Sequence, residues 1–270
     1  MDKLIFNLVD DVFAHDRYSV AGRDSLYIEW DRTLKNKNNP TFYSHNRMFN
    51  NITESDSYGL LFESKSIVPF IYKNVKDIVN KFERVFTHDS ELLKNFDNCF
   101  WIPGGGVWIG GTYGGGTIEI KKKDNLCSLV SSSKKMCELH NLRLSIAKDL
   151  TNSQVTVFGL EKWTPINETL DSFMFSIVIE NYQDEMYFTE KILNCFATGT
   201  IPIYLGARNI NEKFNGDGII QFNSMEELYS ILPKLNSDLY YKKIKAIEDN
   251  HNRCKEYLSI EDYIYINYFK

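Results

Sequence analysis

Residues 173–206, FMFSIVIENYQDEMYFTEKILNCFATGTIPIYLG, constrain the fold more than any other stretch of the chain. An apolar, β-rich run (Phe175, Ile177, Val178, Ile179) gives way to Glu180 and Asn181, and apolar residues then recur at helical spacing (Ile192, Leu193, Phe196, Ala197) after Thr189. The pattern predicts strand, polar loop, helix and strand, which is one βαβ unit. Gly199 can close the helix in a left-handed conformation, and Pro202 opens the second apolar run. Ligands of open α/β sheets sit beyond the carboxyl ends of the strands, which here means the loop 180–189. At the helix start the backbone N–H groups of Thr189, Glu190 and Lys191 carry a partial positive charge and Lys191 adds a full one, so an anion such as phosphate can be held there. Taken alone, Thr-Glu-Lys also reads as an ordinary N-cap with a solvated first turn.

The whole window is more specific. Glu180-Asn181, Tyr187-Phe188-Thr189-Glu190-Lys191-Ile192, Gly199, Ile201-Pro202-Ile203 and Gly206 occur in order. They resemble the donor-binding segment of glycosyltransferase family ten, the α-1,3/4-fucosyltransferases, whose pattern is approximately F-x-F-E-N-S, a short gap, D-Y-[IV]-T-E-K-[IL], then A-x-[AS]-G-x-[VI]-P-[VI]-x-x-G. The departures are Tyr182, where the family usually has Ser or Thr, and Ala207-Arg208, where a small residue or proline is commoner. They leave the sugar open.

At 270 residues with 43% hydrophobic content the chain can form two modest cores. A formal net charge of -5 argues against a nucleic-acid binder, because affinity for a phosphate backbone rests on clustered Lys and Arg. Cys99, Cys127, Cys137, Cys195 and Cys254 show no paired C-x-x-C spacing, so reduced, mostly buried thiols are expected rather than a disulfide framework or a zinc site. No run is long enough to span a bilayer, and the opening MDKLIFNLVDDVF turns acidic after a short apolar stretch, unlike a signal peptide. Beside the membrane-anchored animal members of the family, this implies a cytoplasmic enzyme of bacterial or viral type, or one peripheral to a membrane. The glycosylation-type triplets Asn51-Ile52-Thr53 and Asn167-Glu168-Thr169 then read as chance. The oligomeric state is not legible.

Along the chain, strands are expected at 4–9, 26–30, 59–63, 85–86 and 99–102, with helices around 75–82 and after Asp89. Eight of the 15 glycines fall within GGGVWIGGTYGGG, residues 104–116. This is not a phosphate loop, because no Gly-Lys-Ser/Thr follows and no helix opens after it. A hinge or acceptor-side loop fits, in which Trp108 and Tyr113 either stack on sugar rings or pack internally. Lys121-Lys122-Lys123-Asp124 reads as a solvated turn. A second half follows, with a strand at 126–130, a helix marked by Met136, Leu139, Leu142, Ile146 and Leu150, a strand at 154–158, the βαβ window, and a strand at 219–222. A capping box at Ser224 and Glu227 begins a helix, and Ser259 with Asp262 suggests a last one. The reading is an α/β chain of two Rossmann-like domains facing a cleft. Residues 1–120 would form the acceptor side and 121–270 the nucleotide-sugar side, with the C-terminal helix able to pack back on the first domain. The family's GT-B architecture agrees, with a reduced N-terminal domain.

Sugar transfer from a nucleotide diphosphate needs a cation or dipole for the leaving group and a base for the attacking hydroxyl. Asp184-Glu185 is not a spaced Asp-x-Asp pair, and the family's fold usually needs no metal, so none is expected. Lys191 and the helix start are the first candidates for the diphosphate. Arg143 is the second, because it lies where the family keeps an arginine and a guanidinium grips phosphate bidentately. The resemblance makes Glu190 an acceptor for a ribose or sugar hydroxyl, with Glu180, Asn181, Tyr187 and Thr189 around the same pocket, although Tyr187 reads equally as a core aromatic. For the base, Glu63 ends an apolar strand, and Phe62-Glu63-Ser64 looks like the family's base segment, with Lys65 where a proline is expected. His88-Asp89 is the runner-up, although Asp89 also reads as an N-cap. The resemblance implies an inverting, metal-independent transferase using a GDP-sugar, GDP-fucose first, on a glycan hydroxyl. The alternatives are another nucleotide sugar, or a sugar-nucleotide-binding module without turnover.

Overall fold

The computed structural model describes residues 2–10, 23–50, 57–111 and 114–270. Tyr113, the triplet 51–53 and residues 11–13 lie outside the described residues.

The chain divides into two compact units, Met1–Gly106 with Tyr257–Lys270, and Val107–Glu256. In the first unit, β1 (Leu4–Val9), β2 (Ile28–Asp31), β3 (Thr41–Ser44), β4 (Ser57–Leu61), β5 (Arg84–Thr87) and β6 (Cys99–Trp101) form one parallel sheet in the order β2-β1-β3-β4-β5-β6. The shortness of this half is met in its connections, since α1 (Pro69–Asn74) and α2 (Ser90–Asn95) have six residues each. Pro69 opens α1, where a missing N–H does no harm, and the Asp89 side chain accepts from the Leu92 N–H to cap α2. Ile71, Val75, Val79, Phe82, Val85 and Leu92 pack together in one apolar cluster, joined by Met48 and Leu61.

The second unit begins inside the glycine-rich run. There β7 (Gly110–Gly111) and β8 (Gly114–Gly115) form a small antiparallel hairpin, with positive φ at Gly110, Gly114 and Gly115. Its main sheet contains β9 (Asn125–Val130), β10 (Val155–Phe158), β11 (Phe173–Ile179), β12 (Ile201–Leu205) and β13 (Ile220–Gln221), all parallel in the order β10-β9-β11-β12-β13. The helices are α3 (Glu138–Asp149), α4 (Ile166–Leu170), α5 (Glu190–Thr198), α6 (Met225–Ile231), α7 (Ser237–Lys242) and α8 (Ile244–Arg253). α5 is capped by Thr189 and closed by Gly199 at φ 71°, and Ile192 through Thr198 are all buried. Because β9 leads to β10 on one side while β11 lies on the other, the order of the sheet reverses between β9 and β11. That reversal opens the crevice where doubly wound sheets bind ligands.

The charge run at 121–123 is not uniformly solvated. Lys121 and Lys122 pair with Glu119 and Asp124 at the surface, but Lys123 is buried. Its ammonium donates to the carbonyls of Leu170, Asp171 and Thr198 and to Thr200 Oγ1. A cation there satisfies the carbonyl end of α5, where the helix dipole is negative.

The chain then returns to the first unit as α9 (Ile260–Tyr268). Asp262 accepts hydrogen bonds from the Ser25 hydroxyl and the Leu26 N–H, Glu261 accepts from Trp30 Nε1 at 2.9 Å, and Phe269 packs 5.1 Å from Phe6 and 5.4 Å from Tyr58. These partners lie on β2 and its approach, on β1 and on β4, so the last fourteen residues complete the aromatic face of the first sheet.

Candidate active site

The polar loop after β11 folds back on the start of α5. Glu180, fully buried, accepts the Thr189 N–H on Oε1 at 3.0 Å and the Thr189 hydroxyl on Oε2 at 2.7 Å. Lys191 Nζ lies 3.3 Å from Glu180 Oε2 and donates to Thr189 Oγ1 at 2.9 Å and Glu190 Oε1 at 3.0 Å. Part of the helix start is therefore satisfied by the chain's own carboxylate, and Glu180 is a buried brace rather than a surface for a ligand. Burial pushes the Glu180 carboxyl up, against the pull of Lys191 and the Thr189 hydrogen bonds. For Glu190, burial also acts upward, but Lys191 and Thr189 outweigh it and hold the group below the usual carboxylate range. Burial would lower Lys191, yet the two carboxylates keep it above an ordinary lysine, so its charge is secure at any working pH.

Arg143 projects from α3 to the same place and is 7% exposed. Its Nη1 donates to the Ile179 carbonyl at 2.8 Å, while its buried Nε has no hydrogen-bond partner. A guanidinium with five donors has capacity left for an anion. Arg143, Glu190, Lys191, Ser132, Ile179 and Asn194 line a cavity of about 180 Å³. Ser132 follows β9 and Ile179 ends β11, so the cavity reaches the switch point of the sheet. The arrangement offers two cations to a doubly charged group, with a carboxylate beside them that can accept from a hydroxyl.

The other loop residues are placed differently. Tyr187 is 1% exposed and its hydroxyl donates to Asn181 Oδ1 at 2.8 Å, so this pair stiffens the loop. Sequence reasoning passed over His140, one turn before Arg143 on α3, and Asn194 on α5. His140 is 5% exposed, its Nδ1 makes no hydrogen bond, and burial first, then Arg143 and Lys191, pull it down to about 4. Only its i, i+3 spacing from Arg143 could have drawn notice. Asn194 accepts the Trp108 N–H at 2.7 Å, which ties the start of the unit to α5, and the Trp108 side chain is half-buried.

Gly206 is required by this packing. A Cβ there would lie 2.2 Å from the Tyr204 hydroxyl and 2.7 Å from Glu180 Cγ. Gly206→Ala should therefore destabilise the chain by about 1–3 kcal/mol, read by urea denaturation, and Tyr204→Phe should not recover it, because the ring Cζ would still lie 2.4 Å from the added Cβ and the Ala207 N–H would lose its acceptor.

Glu63 lies in the first unit, two residues beyond β4, and is half-buried. Its Oε1 accepts the Ser64 N–H at 2.9 Å. In the rival pair, Asp89 caps α2 and stands 3.0 Å from Lys65 Nζ, while His88 is fully buried. Among the described residues no group of three or more His, Cys, Asp or Glu is placed to hold a metal ion, and no helix is long and apolar enough to cross a membrane.

Residues 120–245 match the family described as Glycosyltransferase family 10 (fucosyltransferase) C-term. This segment belongs to glycosyltransferase family 10. The family 10 segment contains Arg143 and the whole start of α5. An alpha-(1,4)-fucosyltransferase of Arabidopsis thaliana is 33% identical over 72 residues, 26% of this chain and 18% of that protein. The alpha-(1,3)-fucosyltransferase FucT of Helicobacter pylori is 31% identical over 74 residues, 26% of this chain and 16% of that protein. The matched stretch thus spans less than a fifth of either curated relative. An α1,3-fucosyltransferase solved with GDP superposes with a TM-score of 0.55 at 13% identity, over 95% of this chain and 90% of that one. Anabaena HepE, solved with UDP-glucose, gives 0.51 at 9%, over 83% and 69%. At such identities the likeness is one of fold, and the two parallel α/β units are the GT-B class that the family 10 resemblance implies.

Proposed function

We propose that the chain is an inverting glycosyltransferase that moves L-fucose from GDP-fucose to a glycan hydroxyl. The observation that carries this reading is the pair Arg143 and Lys191 lining one cavity at the carboxyl ends of β9 and β11, inside the family 10 segment. As the bond from the anomeric carbon to the diphosphate breaks, negative charge grows on the departing GDP. A buried guanidinium and an ammonium already fixed nearby stabilise that charge without reorganising, so no metal is needed in this scheme. Glu190, held ionised, accepts from a ribose or sugar hydroxyl. Glu63 takes the proton of the attacking hydroxyl, and inversion follows from direct attack with no covalent sugar on the enzyme.

Tyr182 and Arg208, which depart from the family pattern, favour one variant of this reading, in which the same site takes a different sugar on the nucleotide. Calorimetry against GDP-fucose, GDP-mannose, UDP-glucose and GDP separates the two. The reading expects GDP and GDP-fucose to bind at least tenfold more tightly than UDP-glucose. Tighter binding of GDP-mannose moves the donor, and tighter binding of UDP-glucose rejects the nucleotide. Glu63→Gln should bind GDP as before while turnover falls at least a hundredfold.

A further inference from the structure

The main chain of Glu63 is held from both sides by side chains that the reaction scheme does not use. His45, the first residue after β3, accepts the Glu63 N–H on Nε2 at 3.1 Å. Its ring stands edge-on to Phe62, with centroids 4.4 Å apart and planes at 89°. On the carbonyl side, the Tyr72 hydroxyl of α1 reaches Glu63 O at 2.7 Å, and His88 Nε2 lies 3.3 Å from the same oxygen and 3.2 Å from that hydroxyl.

The backbone of His45 is unusual as well: its φ is 47°, in the left-handed region where a side chain other than glycine's is disfavoured. Glycine or asparagine would hold that conformation at lower cost, but neither carries an acceptor that reaches the Glu63 N–H. For Nε2 to accept, the ring must be neutral with its proton on Nδ1. Full burial keeps the ring neutral, lowering its pKa to about 3, with the nearby His88 adding to the effect; the Glu63 N–H on Nε2 then leaves the ring proton to Nδ1, which has no hydrogen-bond partner among the described residues.

We propose that His45 is a positioning residue for the Glu63 carboxylate: its Nε2, the Tyr72 hydroxyl and His88 clamp both peptide groups flanking the Glu63 Cα, so the side chain leaves the strand end in one direction. The proposal rests on the reading of Glu63 as the base. In the step it serves, the acceptor oxygen bonds to the anomeric carbon, its proton passes to Glu63, and the bond to GDP breaks with its electron pair leaving on the diphosphate. His45 exchanges no proton. It removes freedom from a carboxylate that must be in place when the hydroxyl arrives, and misplacement by about 1 Å can cost a hundredfold in rate.

The test is a double-mutant cycle on GDP release from GDP-fucose with water as acceptor, which needs no identified glycan. His45→Leu should lower kcat at least tenfold with KM for GDP-fucose within twofold. His45→Asn suits the left-handed backbone but is too short to reach the N–H, so it should behave in the same way. His45→Gln, which can present an acceptor near the Nε2 position, should recover kcat to within about threefold. In a Glu63→Gln background His45→Leu should add less than a twofold loss, because the residue acts through Glu63. Losses that multiply in the double variant, or an unchanged kcat in both His45→Leu and His45→Asn, overturn the proposal while leaving Glu63 as the base. A wild-type kcat in Glu63→Gln alone overturns the base itself.

Discussion

Arg143→Ala should lower GDP-fucose turnover by about 10- to 100-fold with little change in fold. A charge-assisted hydrogen bond to phosphate is worth about 1.5–3 kcal/mol, and each 1.4 kcal/mol is about a factor of ten. Among the described residues Arg143 makes one hydrogen bond, to the Ile179 carbonyl, so most of its donors remain for a ligand. Losing that charge-assisted bond costs about 1.5–3 kcal/mol of stability. Arg143→Lys should recover only a small part of the turnover, because an ammonium cannot make the planar, two-pronged contact. Initial-rate kinetics with thermal denaturation on the same samples separate the two effects.

Lys191→Ala should act on both at once. Its ammonium is 3.3 Å from Glu180 Oε2, and Glu180 is fully buried, so removing the lysine leaves a buried carboxylate that keeps the Thr189 donors and the more distant Arg143 charge but has lost its ion-pair partner. Breaking such a pair costs about 3–5 kcal/mol, and the lost cation should reduce turnover at least tenfold. Lys191→Ala combined with Glu180→Gln tells these losses apart, since the neutral amide still accepts from Thr189 without needing a counter-charge. Stability should return by several kcal/mol in the double variant and turnover should not. If turnover returned with stability, Lys191 would be a structural residue only.

The strength of the periodic signals explains how much of this could be read in advance. β11, α5 and β12 were legible because each meets a local rule within a few residues: an apolar strand, Thr189 as cap, and Gly199 as a left-handed stop. β3 was not, because Thr41–Ser44 is four residues without a distinct alternation, and α4 was too short to show a period. The direction of Glu180 was hidden for a different reason. Its position at a strand end is visible, but whether the carboxylate faces a ligand or turns inward depends on Thr189, nine residues later. Lys123 reads as one of three like charges, yet one of its acceptors is Thr198, 75 residues away, and no local pattern reports such a partner. His45 lacked any signal, since its role depends on a neighbouring strand brought beside it by the sheet.

The central claim is that the start of α5 and Arg143 receive the diphosphate of a sugar nucleotide. A crystal structure of the chain soaked with GDP tests it directly. The account predicts diphosphate oxygens within about 3 Å of the Arg143 guanidinium and beside Lys191, at the carboxyl ends of β9 and β11. GDP bound at any place where neither residue reaches a phosphate oxygen would contradict it.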